Sequence, residues 1–416
     1  MPRLLLGLFL SLPLSLPLFA ADWHQFRGPT GQGHADSANL PTEWDQTKNV
    51  TWRKELPGNG WSSPVIAAGK IYLTTAVADP KSAGDYSLHA LCLDAKSGDV
   101  AWNVEVFKED GKTTPKPHAK NSHASPTPVV EGDKLYVHFG HLGTACLNTK
   151  DGSRVWANQT LKYVPVHGAG GSPVLAAGRV IFAIDGLDRQ MVVGLDRKTG
   201  QVSWQTPRNT NPKKPFSFCT PLVITVNGQE QVVCPGSEAV MSYDPKTGAE
   251  IWRIRYESGY SIVPRPVYGN GLVYFSTGFD SPVTYAVRPD GKGDVTKTHV
   301  AWTAKKGAPR SASPLLIGDA LYVVSDDGVV TCLDAKTGTE RWNERVGGAY
   351  SASPIAAGGL VYLLAEDGTA TVFRPGSSYE QVARNRLGER ALASYAVDGD
   401  ALFIRTEKAL YRIEKK

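Results

Sequence analysis

The chain has 416 residues, enough for two or three ordinary domains or for one large repeat array. Its formal charge is +5, and the basic residues are scattered among acidic ones rather than clustered, which argues against a nucleic-acid partner. The five cysteines include no adjacent pair, no Cys-x-x-Cys pair and no haem-attachment motif.

In chain order, residues 1–21 read as an export signal. Arg3 supplies the positive start, Leu4 to Phe19 the apolar stretch, and Ala20-Ala21 the small residues for cleavage. The stretch is shorter than the roughly 20 residues a membrane helix needs, and it contains Pro13 and Pro17. Cleavage is therefore expected, leaving no transmembrane anchor and a protein that works in the periplasm or outside the cell. Residues 22–48 carry Trp23, Phe26, Arg27-Gly28-Pro29 and Trp44. That is too aromatic for a disordered leader, so an arm docked on the folded body is expected.

From residue 49 onward one phrase recurs: Asp or Asn, Gly four residues on, Trp eight residues on. It stands at Asp94/Gly98/Trp102, Asn148/Gly152/Trp156, Asp196/Gly200/Trp204, Asp244/Gly248/Trp252 and Asp334/Gly338/Trp342. The acidic or amide side chain suits a turn that accepts backbone N–H groups, and Gly supplies its positive φ. The Trp that follows is a large apolar surface with one N–H to satisfy, a core residue between repeats. Each unit opens on a small or polar residue before proline: Ser63, Thr127, Ser172, Thr220, Arg265, Ser313 and Ser353, with Ser394-Tyr395 as an eighth opening without proline. Short β-rich runs follow, such as Lys70 to Thr74 and Leu321 to Val324.

Four short strands per repeat, without helical periodicity, predict an all-β propeller of four-stranded blades over 49–416. The fifth unit replaces the phrase by Arg288-Pro289-Asp290-Gly291 and a longer route to Trp302; in the seventh, Val382 stands where Trp is expected. The eighth unit lacks an outer strand, while Asn49 to Leu56 holds a Trp52 strand with no blade of its own. Eight blades closed by that N-terminal strand is the expected architecture, with seven as the alternative. Cys92, Cys146 and Cys332 each fall two residues before the phrase, where a small buried residue fits; Cys219 and Cys234 are either a disulfide or two lone core residues.

The Asp-x-Lys-Thr-Gly-x-x-x-Trp turns at 196–204 and 334–342, with the Ser-Pro openings, resemble the pyrroloquinoline-quinone-like propeller repeat. The start Trp23 to Pro29 is similar to secreted members of the BamB-like group. The resemblance implies the fold and leaves the function open among quinoprotein dehydrogenases, assembly scaffolds and uncharacterised secreted proteins. For a dehydrogenase it would imply a quinone clamped by Trp and an adjacent-cysteine disulfide, with a Ca²⁺ held by Glu and Asn. The adjacent cysteines and the long insertions of those enzymes are missing, and no Glu, Asn or Asp can be placed by motif. No cofactor and no metal is therefore expected, and no catalytic residue is assigned.

Polar residues gather on two sets of loops at one mouth of the channel. The connections into the first strands carry Asn121, His123, His167, Tyr260, Arg265, Arg310, Tyr350 and Arg390. The loops between second and third strands carry His138, His141, Asp185, Asp188, Arg189, Asp280, Asp326 and Glu366. The ligand-binding set is His123, His141, His167, Asp185, Asp188, Arg189, Arg265, Asp280, Arg310 and Arg390, with the 185–189 loop as its most irregular part. A three-imidazole metal site from His123, His138 and His141 is the sharper reading, but strand alternation separates His138 from its neighbours. The expected function is a monomeric binding or assembly-scaffold module that takes a protein, a polar or anionic small molecule, or a glycan. A calcium- and quinone-dependent dehydrogenase and a cell-surface carbohydrate binder, the latter from Trp61, Tyr260 and Tyr350, are the alternatives.

Overall fold

The computed structural model describes residues 22–37 and 39–416, and the expected export signal lies outside them. Eight antiparallel sheets of four strands make up the described chain, two of them lengthened by a short fifth strand. The first blade runs from the axis outward through Val65–Ala67, Lys70–Ala78, Tyr86–Asp94 and Val100–Glu109. The other seven repeat that order. The eighth sheet belongs to the ring, which settles the blade count at eight.

The recurring phrase does its work between blades. In the four Asp turns the carboxylate accepts the N–H groups two and three residues on, as Asp94 does from Lys96 and Ser97 at 2.9 Å each, whereas Asn148 donates its amide to Ser153 Oγ. The following Gly has a positive φ, 76° at Gly98 and 73° at Gly338. Its missing Cβ has a second cause: the Trp of the preceding blade lies on it. A Cβ at Gly200 would meet the Trp156 ring at 2.4 Å, and one at Gly338 the Trp302 ring at 2.5 Å. The indole N–H then donates to a carbonyl of that same turn, Trp102 to Thr149 at 3.0 Å and Trp302 to Ala335 at 3.0 Å. One phrase thus supplies the ring to one seam and the seat for the ring of another.

A single extra residue immediately before each Trp shifts the register of the outer strand, as at Cys92/Leu93 opposite Trp102 and Val100. Such a bulge re-aims the side chain that follows it. Across three strands the residues then line up as Tyr72, Cys92 and Trp102, or Tyr322, Cys332 and Trp342. The middle residue is small because it lies between two large rings, which explains three of the cysteines. Cys219 and Cys234 are buried free thiols.

Two blades depart from the rule. Trp252 finds no phrase turn in the fifth blade to rest on and donates instead to Gln231 Oε1 at 2.9 Å, while Gly293–Asp294 adds a short parallel strand beside Glu250–Arg255. In the seventh blade the register places Ala383, not Val382, opposite Val372 and Tyr362. Val382 is the bulge residue and is exposed, so the sequence expectation was one residue off. The ring that should cover Tyr362 comes from the arm: Trp44 stacks on it at 6.5 Å between centroids and 13° between planes.

The ends meet as expected. Val50–Glu55 pairs antiparallel with Ala409–Ile413 and completes the eighth blade. Trp52 lies against Gly98 of the first blade and donates to Lys96 O at 3.1 Å, so the closing strand also fills the seam beyond it.

Candidate functional site

The small residues that open the inner strands form one hydrogen-bonded ring around the axis. The N–H of Ser63 donates to Thr127 Oγ1, that of Thr127 to Ser172 Oγ and that of Ser172 to Thr220 Oγ1, each at 2.9 Å. Beyond the fifth blade the N–H of Arg265 donates to Ser313 Oγ at 2.9 Å, and Ser313 to Ser353 Oγ at 3.1 Å. Ser353 to Ser394 Oγ at 2.9 Å and Ser394 to Ser63 Oγ at 3.0 Å bring the ring back to the first blade. Arg265 has no hydroxyl to offer Thr220, so one seam stays open. Each hydroxyl accepts from a backbone N–H, which leaves its own hydrogen to donate.

Below this ring the arm crosses the channel. Trp23 O accepts Ile66 N–H at 2.8 Å, His24 O accepts Val130 N–H at 2.9 Å, and Gly33 O accepts Ala356 N–H at 2.8 Å. Gln32 Oε1 accepts Tyr268 N–H at 2.5 Å, and His34–Ala35 pairs in parallel with Ile355–Ala357. The first, second, fifth and seventh blades are all engaged. The channel is therefore a cup, with the Phe26 ring among its lining residues and a volume of about 400 Å³.

Its wall has two characters. On one arc Phe216 contacts His167 at 5.4 Å, Tyr260 at 5.4 Å and Phe218 at 6.1 Å between centroids, and Phe279 follows Tyr260 at 6.4 Å. The opposite arc is hydroxylic. Ser311 is held by Asp326 Oδ2 at 2.8 Å and Ser351 by Glu366 Oε1 at 2.6 Å, behind the ring members Ser313, Ser353 and Ser394. Four cations stand over these walls. Lys120 pairs with Glu366 at 2.7 Å, Lys214 lies 3.9 Å above the Tyr260 ring, Arg310 5.9 Å from Phe279 and Arg390 5.5 Å from Trp61. The described residues that line the cup include no Asp and no Glu. His167 and His118 approach to 5.3 Å, and burial first, then the charge of His118, lowers the His167 pKa.

The sequence of residues 35–163, 115–292 and 293–377 matches the family described as outer membrane protein assembly factor BamB. The chain belongs to that family, within the pyrroloquinoline-quinone-like propeller repeats. The BamB of Moraxella catarrhalis superposes with a TM-score of 0.62 at 14% identity, over 88% of this chain and 97% of that one. Among curated relatives, the dehydrogenase subunit of alcohol dehydrogenase (quinone) from Gluconobacter oxydans (strain 621H) is 25% identical over 66% of this chain and 34% of its own length. Tetrathionate hydrolase of Acidithiobacillus ferrooxidans is 24% identical over 69% of this chain and 54% of its own. This BamB-family chain thus spans about a quarter to about half of the length of the curated relatives it matches.

Of the residues expected at the mouth, the propeller brings Asn121, His167 and Tyr260 into the lining of the cup and Asp280, Arg310 and Arg390 to its rim. Asp280 accepts from Tyr260 Oη at 3.0 Å and pairs with Lys214 at 3.3 Å. Asp185 lies elsewhere, buried in a two-pronged ion pair with Arg208 at 2.7 and 2.9 Å. Burial works against both charges there, and the Asp185 carboxylate nonetheless holds the Arg208 pKa up. Asp188 accepts Val164 N–H at 2.8 Å and pairs with Arg189 at 3.1 Å, which makes the 185–189 loop a structural hairpin with Leu187 exposed at its tip.

Arg265 is buried, donating to Pro221 O at 2.9 Å and to Phe26 O at 2.6 Å, and so anchors the arm. Tyr350 is buried as well. His123 Nδ1 lies 2.8 Å from Glu109 Oε1, whose side chain has no exposure. His138 packs on Phe182 at 4.3 Å, and burial lowers the His141 pKa to about 4. Among the described residues no cluster of three or more His, Cys, Asp or Glu is arranged to hold a metal ion. The feature that sequence reasoning missed is the hydroxyl ring. Its signal was the Ser or Thr before each proline, which reads locally as a strand opening and acquires its role only when the blades close.

Proposed function

We propose that the protein acts by binding, taking into the cup a ligand with an apolar or aromatic face and several acceptor oxygens, such as carboxylates or carbonyls. The cup itself carries this reading. A ring of hydroxyls lies above the arm that closes it, its rim holds Lys120, Arg310 and Arg390, and no carboxylate among its lining residues repels an anion. Its volume lies in the range of sites for small organic molecules. The apolar leader and the family's outer-membrane description support a place of action beyond the cytoplasm.

The quinone of the Gluconobacter relative's name has such acceptor oxygens, but calcium does not fit. That ion takes six to eight oxygen ligands, with carboxylates prominent among them. The acids beside the lining are already engaged: Asp326 holds Ser311, Glu366 holds Ser351 and Lys120, and Asp280 accepts from Tyr260 and pairs with Lys214. The cup also lacks a carboxylate to serve as a general base.

Calorimetric titration with pyrroloquinoline quinone, aromatic carboxylates, acidic peptides and glycans tests the proposal. At least one acceptor-rich probe should bind, and Phe216→Ala and Arg390→Ala should each weaken it about tenfold or more, a loss of about 1.4 kcal/mol. Binding that survives both substitutions unchanged would place the site elsewhere. Dye reduction by alcohol after loading with quinone and calcium would replace the binding reading by a catalytic one.

A further inference from the structure

Two guanidinium groups lie inside the closed channel without a counter-charge. Arg27, from the arm, and Arg265, from the fifth blade, are both essentially inaccessible to solvent. Arg27 Nη2 donates to Pro314 O at 2.7 Å and to Pro354 O at 3.4 Å. Its Nε and Nη1 are buried and have no hydrogen-bond partner. Arg265 spends its donors on three neutral oxygens, those of Pro221, Phe26 and the Gln25 side chain. No described carboxylate pairs with either arginine. The two instead repel one another, and burial followed by that repulsion lowers the Arg27 pKa to about 9, while burial lowers that of Arg265 to about 10.

Burying one unpaired charge is costly, and placing two of the same sign together is costlier. Arg208, by contrast, has both oxygens of Asp185, while Arg405 is also buried without a carboxylate and donates to Ser62 O at 2.9 Å. The arm lies directly against the two groups. Gly31 stands where a Cβ would come within 2.3 Å of Arg265 Nη1, and Gly33 where one would come within 2.8 Å of Arg27 Nη2, so glycine at both places lets the backbone approach the guanidinium groups.

We propose that Arg27 and Arg265 together hold a small inorganic anion of halide size on the propeller axis, beneath the cup and enclosed by the arm. The free Nε and Nη1 of Arg27 are donors to it, and Arg265 supplies the second positive charge. The anion ties the arm to the fifth, sixth and seventh blades, whose carbonyls and backbone already grip the two side chains. This site does not depend on what occupies the cup above.

The test uses the whole mature chain, crystallised from sodium bromide, with diffraction collected at the bromine absorption edge. An anomalous peak within hydrogen-bond distance of the Arg27 or Arg265 guanidinium is expected. A map without one would overturn the proposal, as would bromide found only on the surface. In parallel, thermal unfolding is followed at fixed ionic strength as chloride replaces gluconate. An ion that binds only the folded state raises the midpoint by mass action, here by a few degrees at saturation. Arg27→Met should abolish that dependence, and an unchanged dependence in the variant would refute the site. Should Arg27→Met fail to fold, the anomalous map of the unaltered protein decides alone.

Discussion

His138 ends an inner-blade strand, packs on Phe182 of the next blade at 4.3 Å, and shares a hydrogen with Thr144 Oγ1 at 2.8 Å. Burial lowers its pKa to about 3, with the charge of His141 acting in the same direction. The folded protein therefore keeps this imidazole neutral, while the unfolded chain takes up a proton near the ordinary pKa of about 6.5. Between those values the unfolded state binds the extra proton, so the contribution is present above pH 6.5 and is lost as pH falls toward 3. Each pH unit in that window removes roughly 1.4 kcal/mol for one such group. His141, lowered to about 4, adds to the same limb. Urea midpoints at intervals from pH 7 to pH 4 should fall steadily for the unaltered protein. For His138→Gln the slope should be shallower by close to one proton, and an equal slope would show that His138 is not the buried neutral group. In the sequence, a three-imidazole site from His123, His138 and His141 is the sharper reading, and strand alternation argues against it. The structure gives His123 a carboxylate, Glu109, from the preceding blade.

At the level of elements, the arm is a replacement part as well as a floor. Six blades place a Trp ring on the seam ahead of their outer strand, Trp52 does so for the eighth, and the seventh offers only Ala383. Trp44 occupies that seam, buried against Tyr362, and its backbone N–H donates to Asn385 Oδ1 at 2.9 Å. Trp44→Ala should cost about 3–5 kcal/mol, as removal of a buried aromatic does. The loss should appear as a lowered thermal midpoint, whereas a substitution at the exposed Val382 should leave the midpoint almost unmoved. A small effect of Trp44→Ala would mean that the arm lies on the propeller without filling it. The contrast explains what was legible. Turn, glycine and tryptophan lie within nine residues of one another, so local pattern reveals them. The partners of the arm do not: Arg265 meets Phe26 across 239 positions, and Arg27 meets Pro314 across 287. Asp185 was misleading for the same reason, since its irregular loop was visible and Arg208 beneath it was not.

For the whole molecule, closure of the ring decides whether the eight seams behave as one cooperative unit. Without the closing strand, Ala409–Ile413 is left as an edge able to pair with another chain, and the turn of the first blade loses its cover. The strand Val50–Glu55 pairs with that edge, and Trp52 covers the turn of the first blade. Arg53 reinforces it, donating to Tyr411 Oη at 3.0 Å and pairing with Glu389 at 2.9 Å. Because the hydroxyl ring runs through Ser394 to Ser63, opening this seam also breaks that ring. A repeat array held only by neighbour contacts can fray from its ends, whereas a closed ring has no end from which to start. Deleting residues 49–56 should therefore replace one sharp unfolding transition by a broad one beginning at lower denaturant, with the fitted m-value falling as cooperativity is lost. Trp52→Ala, which keeps the strand but empties the seam, should lower the midpoint while leaving a single transition. If the deletion variant instead melts in one step at the original midpoint, the closing strand is a surface ornament and the propeller is stable as an open ring.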